Sequence, residues 1–152
     1  MLQLGRKPVV DEFVDRLILQ KTVYLAQAAG VNLGYHYCWY LYGPYCRALA
    51  ADGAVVAAEG TQEAEEWSLD DALVDRLRDI SVLVNPERNT DKEATAKRLE
   101  LLASVHFLID HEQVSQDDIG EIEVTLRRYD KEFGKEEITG ALGVLKEHGL
   151  LQ

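Results

Sequence analysis

A chain of 152 residues is long enough to bury a hydrophobic core without disulfides or metals. With 47% apolar and 28% charged residues it has the make-up of a folded globular domain, which excludes a disordered chain; no apolar run approaches the roughly 20 residues that a membrane helix needs. The formal charge of −11 repels phosphate backbones at long range, so DNA or RNA is a poor partner for most of the surface.

The charge is uneven. Residues 1–50 carry five basic and three acidic groups, residues 51–90 three and ten, and the remainder eight and fourteen. Met1 to Val10 holds no apolar segment of signal-peptide length, so the expected compartment is the cytoplasm. One domain over 1–152 is expected, with 1–58 and 68–152 as its sub-parts if it divides.

In chain order, Phe13, Leu17, Tyr24, Leu25 and Ala28 recur at helical spacing and predict a helix over Asp11 to Ala29, with Gly30 at its C-terminal end. Tyr35 to Tyr42 is rich in strand-favouring residues, and period two puts Tyr35, Tyr37, Trp39 and Leu41 on one face. Gly43-Pro44 is expected to end that strand, with Pro44 opening a helix through Leu49 and Ala50 that Gly53 weakens. Ala58 to Glu66 reads as an acidic loop anchored by Trp67.

Ser68-Leu69-Asp70-Asp71 has capping-box form and predicts a helix through Leu73, Leu77 and Ile80 that stops before Asn85-Pro86. Asp91 to Asp110 carries an apolar arc too wide for a surface helix, from Leu99, Leu101 and Leu102 to Phe107 and Leu108, and predicts the central helix of the core. Ser115-Gln116-Asp117-Asp118 predicts a further helix to about Asp130, and Lys135 to His148 a last one ending at Gly149. The fold class is therefore mainly α: a compact helical domain with a small aromatic β segment and a C-terminal three-helix part of winged-helix-like order.

Catalytic signatures are not visible. His36, His106, His111 and His148 never fall at a metal-ligand interval; His106 and His111 stand about 140° apart around one helix. Phosphate-binding glycine loops and the Gly-x-Ser-x-Gly elbow are missing, and Glu63, Glu65, Glu66, Asp70 and Asp71 read as a solvated acidic face. Cys38 and Cys46, without partners at ligand spacing, read as reduced structural thiols. No enzyme activity, metal or cofactor is expected.

The segment Tyr35 to Tyr45 holds six tyrosine and tryptophan rings, with His36 as a further aromatic. It reads either as a recognition surface formed by Tyr35, Tyr37, Trp39, Tyr42 and Tyr45, with Arg47 supplying a charged fork, or as a hairpin packed on both sides. If exposed, it would also be a reason for the chain to pair with a second copy.

Three segments carry a resemblance: Leu19-Gln20-Lys21-Thr22-Val23-Tyr24-Leu25-Ala26-Gln27, Tyr42-Gly43-Pro44-Tyr45, and Leu99 to Leu108. Together they resemble the YwgA-like group of prokaryotic proteins and, more distantly, the Panacea domain of SocA-like antitoxins. Panacea-type sequences continue Gly-Pro with Val, where this chain has Tyr45. The resemblance implies a non-enzymatic helical domain that binds a protein, as a neutraliser of a toxin or as an adaptor to a defence component or protease. Gln20, Lys21 and Tyr24 lie within about one helical turn, and with Gly43 and Pro44 they are expected to be architectural, packing beside the turn.

Three functions are weighed, the last of them an enzyme, which would require buried carboxylates or histidines gathered from distant segments into a cleft. The first is a protein-binding regulator using the aromatic segment and the acidic region Glu59 to Asp79. The second is a nucleic-acid-associated, winged-helix-like regulator with a basic patch of Arg6, Lys7, Arg16, Lys21 and Arg47; the acidity of the closing helices counts against it.

Overall fold

The structure, a computed structural model, describes residues 9–59, 70–85 and 91–152. In chain order these form α1 (Phe13–Ala28), β1 (Cys38–Tyr40), β2 (Gly43–Tyr45), α2 (Arg47–Glu59), α3 (Asp71–Val84), α4 (Lys92–His111), α5 (Ile119–Arg128) and α6 (Lys135–Glu147). The result is a mainly helical domain with one two-stranded antiparallel hairpin. Among the described residues no helix is long and apolar enough to cross a membrane.

Helix α4 is the centre of the core, as its wide apolar arc predicts. Residues Leu101 to Leu108 are buried without interruption, because α1 and the hairpin pack on one side of it and α5 and α6 on the other. Its buried faces join Leu25, Leu83, Ile122, Leu126, Ile138 and Leu145 from four other helices in one core. A smaller cluster of Leu19, Val23, Cys46 and Leu49 forms where α1, α2 and the end of the hairpin meet.

The segment after α1 departs from expectation. Only Cys38–Tyr40 is strand, and Gly43–Pro44–Tyr45 does not open a helix but forms the returning strand, pairing Tyr40 with Gly43, Trp39 with Pro44 and Cys38 with Tyr45. Leu41 and Tyr42 make the turn, and the positive φ that closes it, +91°, falls on Gly43. Proline is tolerated because both strands of a two-stranded ribbon are edges, where an N–H can be dispensed with.

Other local readings also shift. Ser115 Oγ accepts only from Asp117 N–H, and the side chain that caps α5 is Asp118, accepting from Glu121 N–H at 2.9 Å. Asp70 caps α3 in the same way through Leu73 N–H; Ser68, Trp67, Glu63, Glu65 and Glu66 lie outside the described residues, as do Arg6 and Lys7. Cys46 is buried, but Cys38 is exposed, so the second thiol has no packing role of the kind expected. Helix α5 ends at Arg128, and two residues on Asp130, with a φ of +58°, reverses the chain and returns Lys131 N–H to Leu126 O at 3.0 Å. That reversal brings the Lys131 side chain inward beneath the hairpin.

Gly53 does not interrupt α2. A Cβ at this position would stand 2.6 Å from Leu19 Cδ2, so the glycine sets how closely α2 approaches α1. Gly53→Ala should therefore lower stability by about 1 kcal/mol in a urea melt, because overpacking of roughly 1–3 kcal/mol outweighs the ~1 kcal/mol that alanine contributes through helix propensity. A rise in stability would mean the helices separate without cost.

Candidate functional site

The hairpin lies across the middle of α1, and α1 holds it through its side chains. Two glutamines seven residues apart, two turns along one face of the helix, each bind a whole peptide unit's worth of backbone. Gln20 accepts Cys46 N–H at 2.9 Å and donates to Cys46 O at 2.9 Å. Gln27 accepts Tyr35 N–H at 2.8 Å and donates to Tyr35 O at 2.9 Å. The carboxamide carries one donor side and one acceptor side, so it reproduces a rung of a sheet at the entry and the exit of the aromatic segment.

Two lysines complete the attachment. Lys21 Nζ, with the side chain buried, donates to Pro44 O at 2.6 Å. Lys131 Nζ donates to Leu41 O at 3.0 Å and to Glu100 Oε1 at 2.5 Å, and sits 5.8 Å from the Trp39 ring centroid and 5.7 Å from that of Tyr42. Both turn carbonyls thus meet ammonium groups, with Glu100 as the neighbouring carboxylate. Burial pushes the Lys21 amine down to about 7, partly offset by Glu100 and reinforced by Lys131. Gly43 sits on this layer: a Cβ there would collide with Ser104 Oγ and lie 3.6 Å from Lys21 Nζ.

The inner face of the hairpin continues the core as a chain of aromatic contacts. Tyr37 meets Tyr24 edge-on at 5.1 Å, Trp39 lies 5.7 Å from Phe107 and 4.5 Å from Tyr129, and His111 stacks on Phe107 at 4.2 Å. Tyr24 Oη and His106 Nδ1 share a hydrogen bond of 2.8 Å. Burial raises the Tyr24 phenol and lowers the His106 imidazole, in each case favouring the uncharged form. Tyr35 donates to Asp52 at 2.8 Å, and burial together with that bond pushes its phenol up to about 12.

A comparison of the chain with protein-family models, curated proteins and solved structures found no match. The site therefore rests on its own geometry.

The residues singled out in sequence fall into three groups. Tyr35, Tyr37 and Trp39 face inward and are half-buried, Tyr45 is half-buried against Tyr40 at 5.4 Å, and Tyr42 and Arg47 are exposed. Leu41 does not share the inner face: it sits in the turn and is 69% exposed, next to Tyr40 at 56% and Tyr42 at 44%. Lys21, Gly43 and Pro44 meet beside the turn and Gln20 holds Cys46 past the end of the second strand, whereas Tyr24 packs one turn further along against Tyr37 and His106. Gln27, Glu100 and Lys131 were not singled out. The first lies in the motif segment at the i+7 spacing that could have revealed it; the other two come from distant parts of the chain, and nothing local signals them. His36, His106 and His111 border one shallow cleft, and among the described residues no group of three or more His, Cys, Asp or Glu is placed to hold a metal ion.

Gln20→Ala would strand a buried N–H and a buried carbonyl of Cys46, and should cost about 2–4 kcal/mol in a denaturant melt, against roughly half that for Gln27→Ala at its less buried position. Lys21 gives a pH signature. Its folded value of about 7 lies below the unfolded value of 10.5, so between the two the unfolded chain holds more protons and raising the pH favours the fold. The penalty is complete below the folded value and is relieved as pH rises above it. Stability of wild type relative to Lys21→Met should thus climb by about 1 kcal/mol per pH unit above neutrality; a flat difference would show that the amine titrates at its ordinary value.

Proposed function

We propose that the chain is a non-enzymatic protein-binding regulator, antitoxin-like or adaptor-like, that offers the tip of its hairpin to a partner protein in a toxin–antitoxin or phage-defence setting. The observation that carries this reading is the combination of exposure and rigidity at Tyr40, Leu41 and Tyr42. These three side chains are exposed, yet Lys131 holds the Leu41 carbonyl, and Lys21 and Gln20 hold Pro44 and Cys46 on the returning strand. Apolar and aromatic groups presented on a preorganised backbone lose little conformational entropy on association, which is the property of binding hot spots.

The partner's surface is expected to be basic, since a chain of net charge −11 steers cationic proteins toward it and repels acidic ones. The family resemblance supports the same role, and the cytoplasm is the compartment that goes with it.

The second reading is a winged-helix-like nucleic-acid regulator built on α4, α5 and α6. Arg127, Arg128 and Lys135 lie near the junction of α5 and α6, which favours it. Arg127 is bound to Glu123 at 3.1 Å, however, and the exposed charges of α6 include Glu136, Glu137 and Glu147 beside Lys135 and Lys146. These carboxylates oppose a phosphate backbone.

Co-purification of the tagged protein from its host, at low and high salt, tests the choice. Wild type should retain a specific protein, and a Leu41→Ser/Tyr42→Ser variant with unchanged melting behaviour should lose it by at least about 30-fold in affinity, the scale of a hot-spot loss. Recovery of nucleic acid alone, released by salt, would instead establish the second reading.

A further inference from the structure

The two edges of the hairpin are finished differently. On β2, Pro44 has no N–H, its carbonyl is taken by Lys21, and Cys46 gives both its backbone groups to Gln20. These groups reach α1, so they point away from β1. The register sets Trp39 opposite Pro44 and, continued by one step, Tyr37 opposite Cys46. In an antiparallel pair, residues that face each other without exchanging hydrogen bonds both direct their N–H and C=O outward. Tyr37 and Trp39 therefore direct theirs to the outer edge of β1.

On that edge the rungs to either side are filled. Gln27 takes both backbone groups of Tyr35, and Lys131 takes the Leu41 carbonyl. Among the described residues nothing bonds the N–H or C=O of Tyr37 or Trp39 on this side. The edge is open to approach: Cys38 and Tyr40 are exposed, Trp39 is half-buried, and a cleft of about 370 Å³ separates Tyr35 to Tyr37 from Asp110 and His111. Tyr37 to Tyr40 also includes neither a proline nor a charged side chain, the usual means of keeping an edge from pairing. Pro44 supplies that protection on β2 alone.

We propose that β1 pairs with β1 of a second copy of the chain, antiparallel about a two-fold axis through Cys38, to give a four-stranded sheet in the order β2-β1-β1-β2. The shape of the vacancy argues for this occupant. It consists of two N–H and two C=O groups placed symmetrically about Cys38, and a copy turned by 180° offers the same set. Tyr37 of each copy then exchanges both bonds with Trp39 of the other. A longer strand from a different protein would run at both ends into rungs that Gln27 and Lys131 already hold. On the inner face Tyr37 and Trp39 meet across the join as an aromatic cross-strand pair. The two hairpin tips point to opposite ends of the sheet, so the inference does not rest on the partner-binding reading and leaves Leu41 and Tyr42 clear.

A join this short belongs to the small, transient class of interface, so it is expected to form at micromolar concentrations. Sedimentation equilibrium of the full chain over about 10–500 µM, in about 0.5 M NaCl to screen two chains of −11, should show the mass rising from one chain to two. Cys38→Lys sets two ammonium groups face to face on the axis and should weaken the dimer at least about tenfold. Its melting temperature should not change, because Cys38 is exposed. Leu41→Ser/Tyr42→Ser should dimerise like wild type, which separates this surface from the tip. The register is read with diamide, which takes two electrons and two protons from a pair of thiols to leave a disulfide. Cys38 should cross-link to Cys38, since facing residues of this kind have Cα atoms about 4.5 Å apart, within the span of a disulfide. In a Cys38→Ser background, His36→Cys and Tyr40→Cys chains should cross-link when mixed and not alone, because like positions would lie roughly 14 Å apart across the axis. A single chain's mass throughout the range, a dimer untouched by Cys38→Lys, or equal cross-linking of the single-cysteine chains mixed and alone would each overturn the proposal.

Discussion

A two-stranded ribbon is not stable in water by itself, because its two edges leave half of its backbone groups without partners and one face without a core. In this protein that deficit is met by α1, whose side-chain carboxamides stand where a third strand would be. Gln20 closes on Cys46, directly after β2, and Gln27 on Tyr35, three residues before β1, while Lys21 takes the Pro44 carbonyl. Every other feature of the hairpin follows from this attachment. The strands need be only three residues long, Pro44 is tolerated because its missing N–H faces no partner strand, and Gly43 is required because the ammonium and hydroxyl layer comes so close beneath it.

The same attachment explains why charge is buried at this point of an otherwise ordinary helical core. Carbonyls of a turn pressed against the domain need donors, and water is excluded there; lysine is long enough to reach them from α1 and from the reversal after α5. Burying two ammonium groups with one carboxylate is costly, and the cost appears as the depressed Lys21 value. In exchange the turn is held from below, with Leu41 in solvent and Tyr40 and Tyr42 half in solvent beside Tyr45 and Phe13.

How far the sequence could be read depended on the range of the interactions involved. Helix α4 was legible because burial on all sides leaves a wide apolar arc in consecutive residues, and the alternation of Tyr35, Tyr37 and Trp39 was legible because strand period is a local property. Leu41 broke the alternation because a turn suspends it, and Pro44 was read as a helix start because its φ suits a helix's first turn as well as an edge strand. Gly53 looked like a helix weakener, since the reason for it is Leu19 on another helix. Ser68 and Ser115 looked like caps on pattern alone, while an aspartate nearer each helix start does the capping.

The amino-acid sequence by itself determined the helical class, the order of the helices, the position of the core helix and the aromatic character of the hairpin, because each is written in local periodicity and composition. Tertiary structure alone decided which aromatics face solvent, that Gln27 matches Gln20, and that Lys21, Glu100 and Lys131 gather under one turn. These groups lie up to 110 residues apart, and their meeting depends on how α1, α4 and the end of α5 pack, which no window along the chain contains.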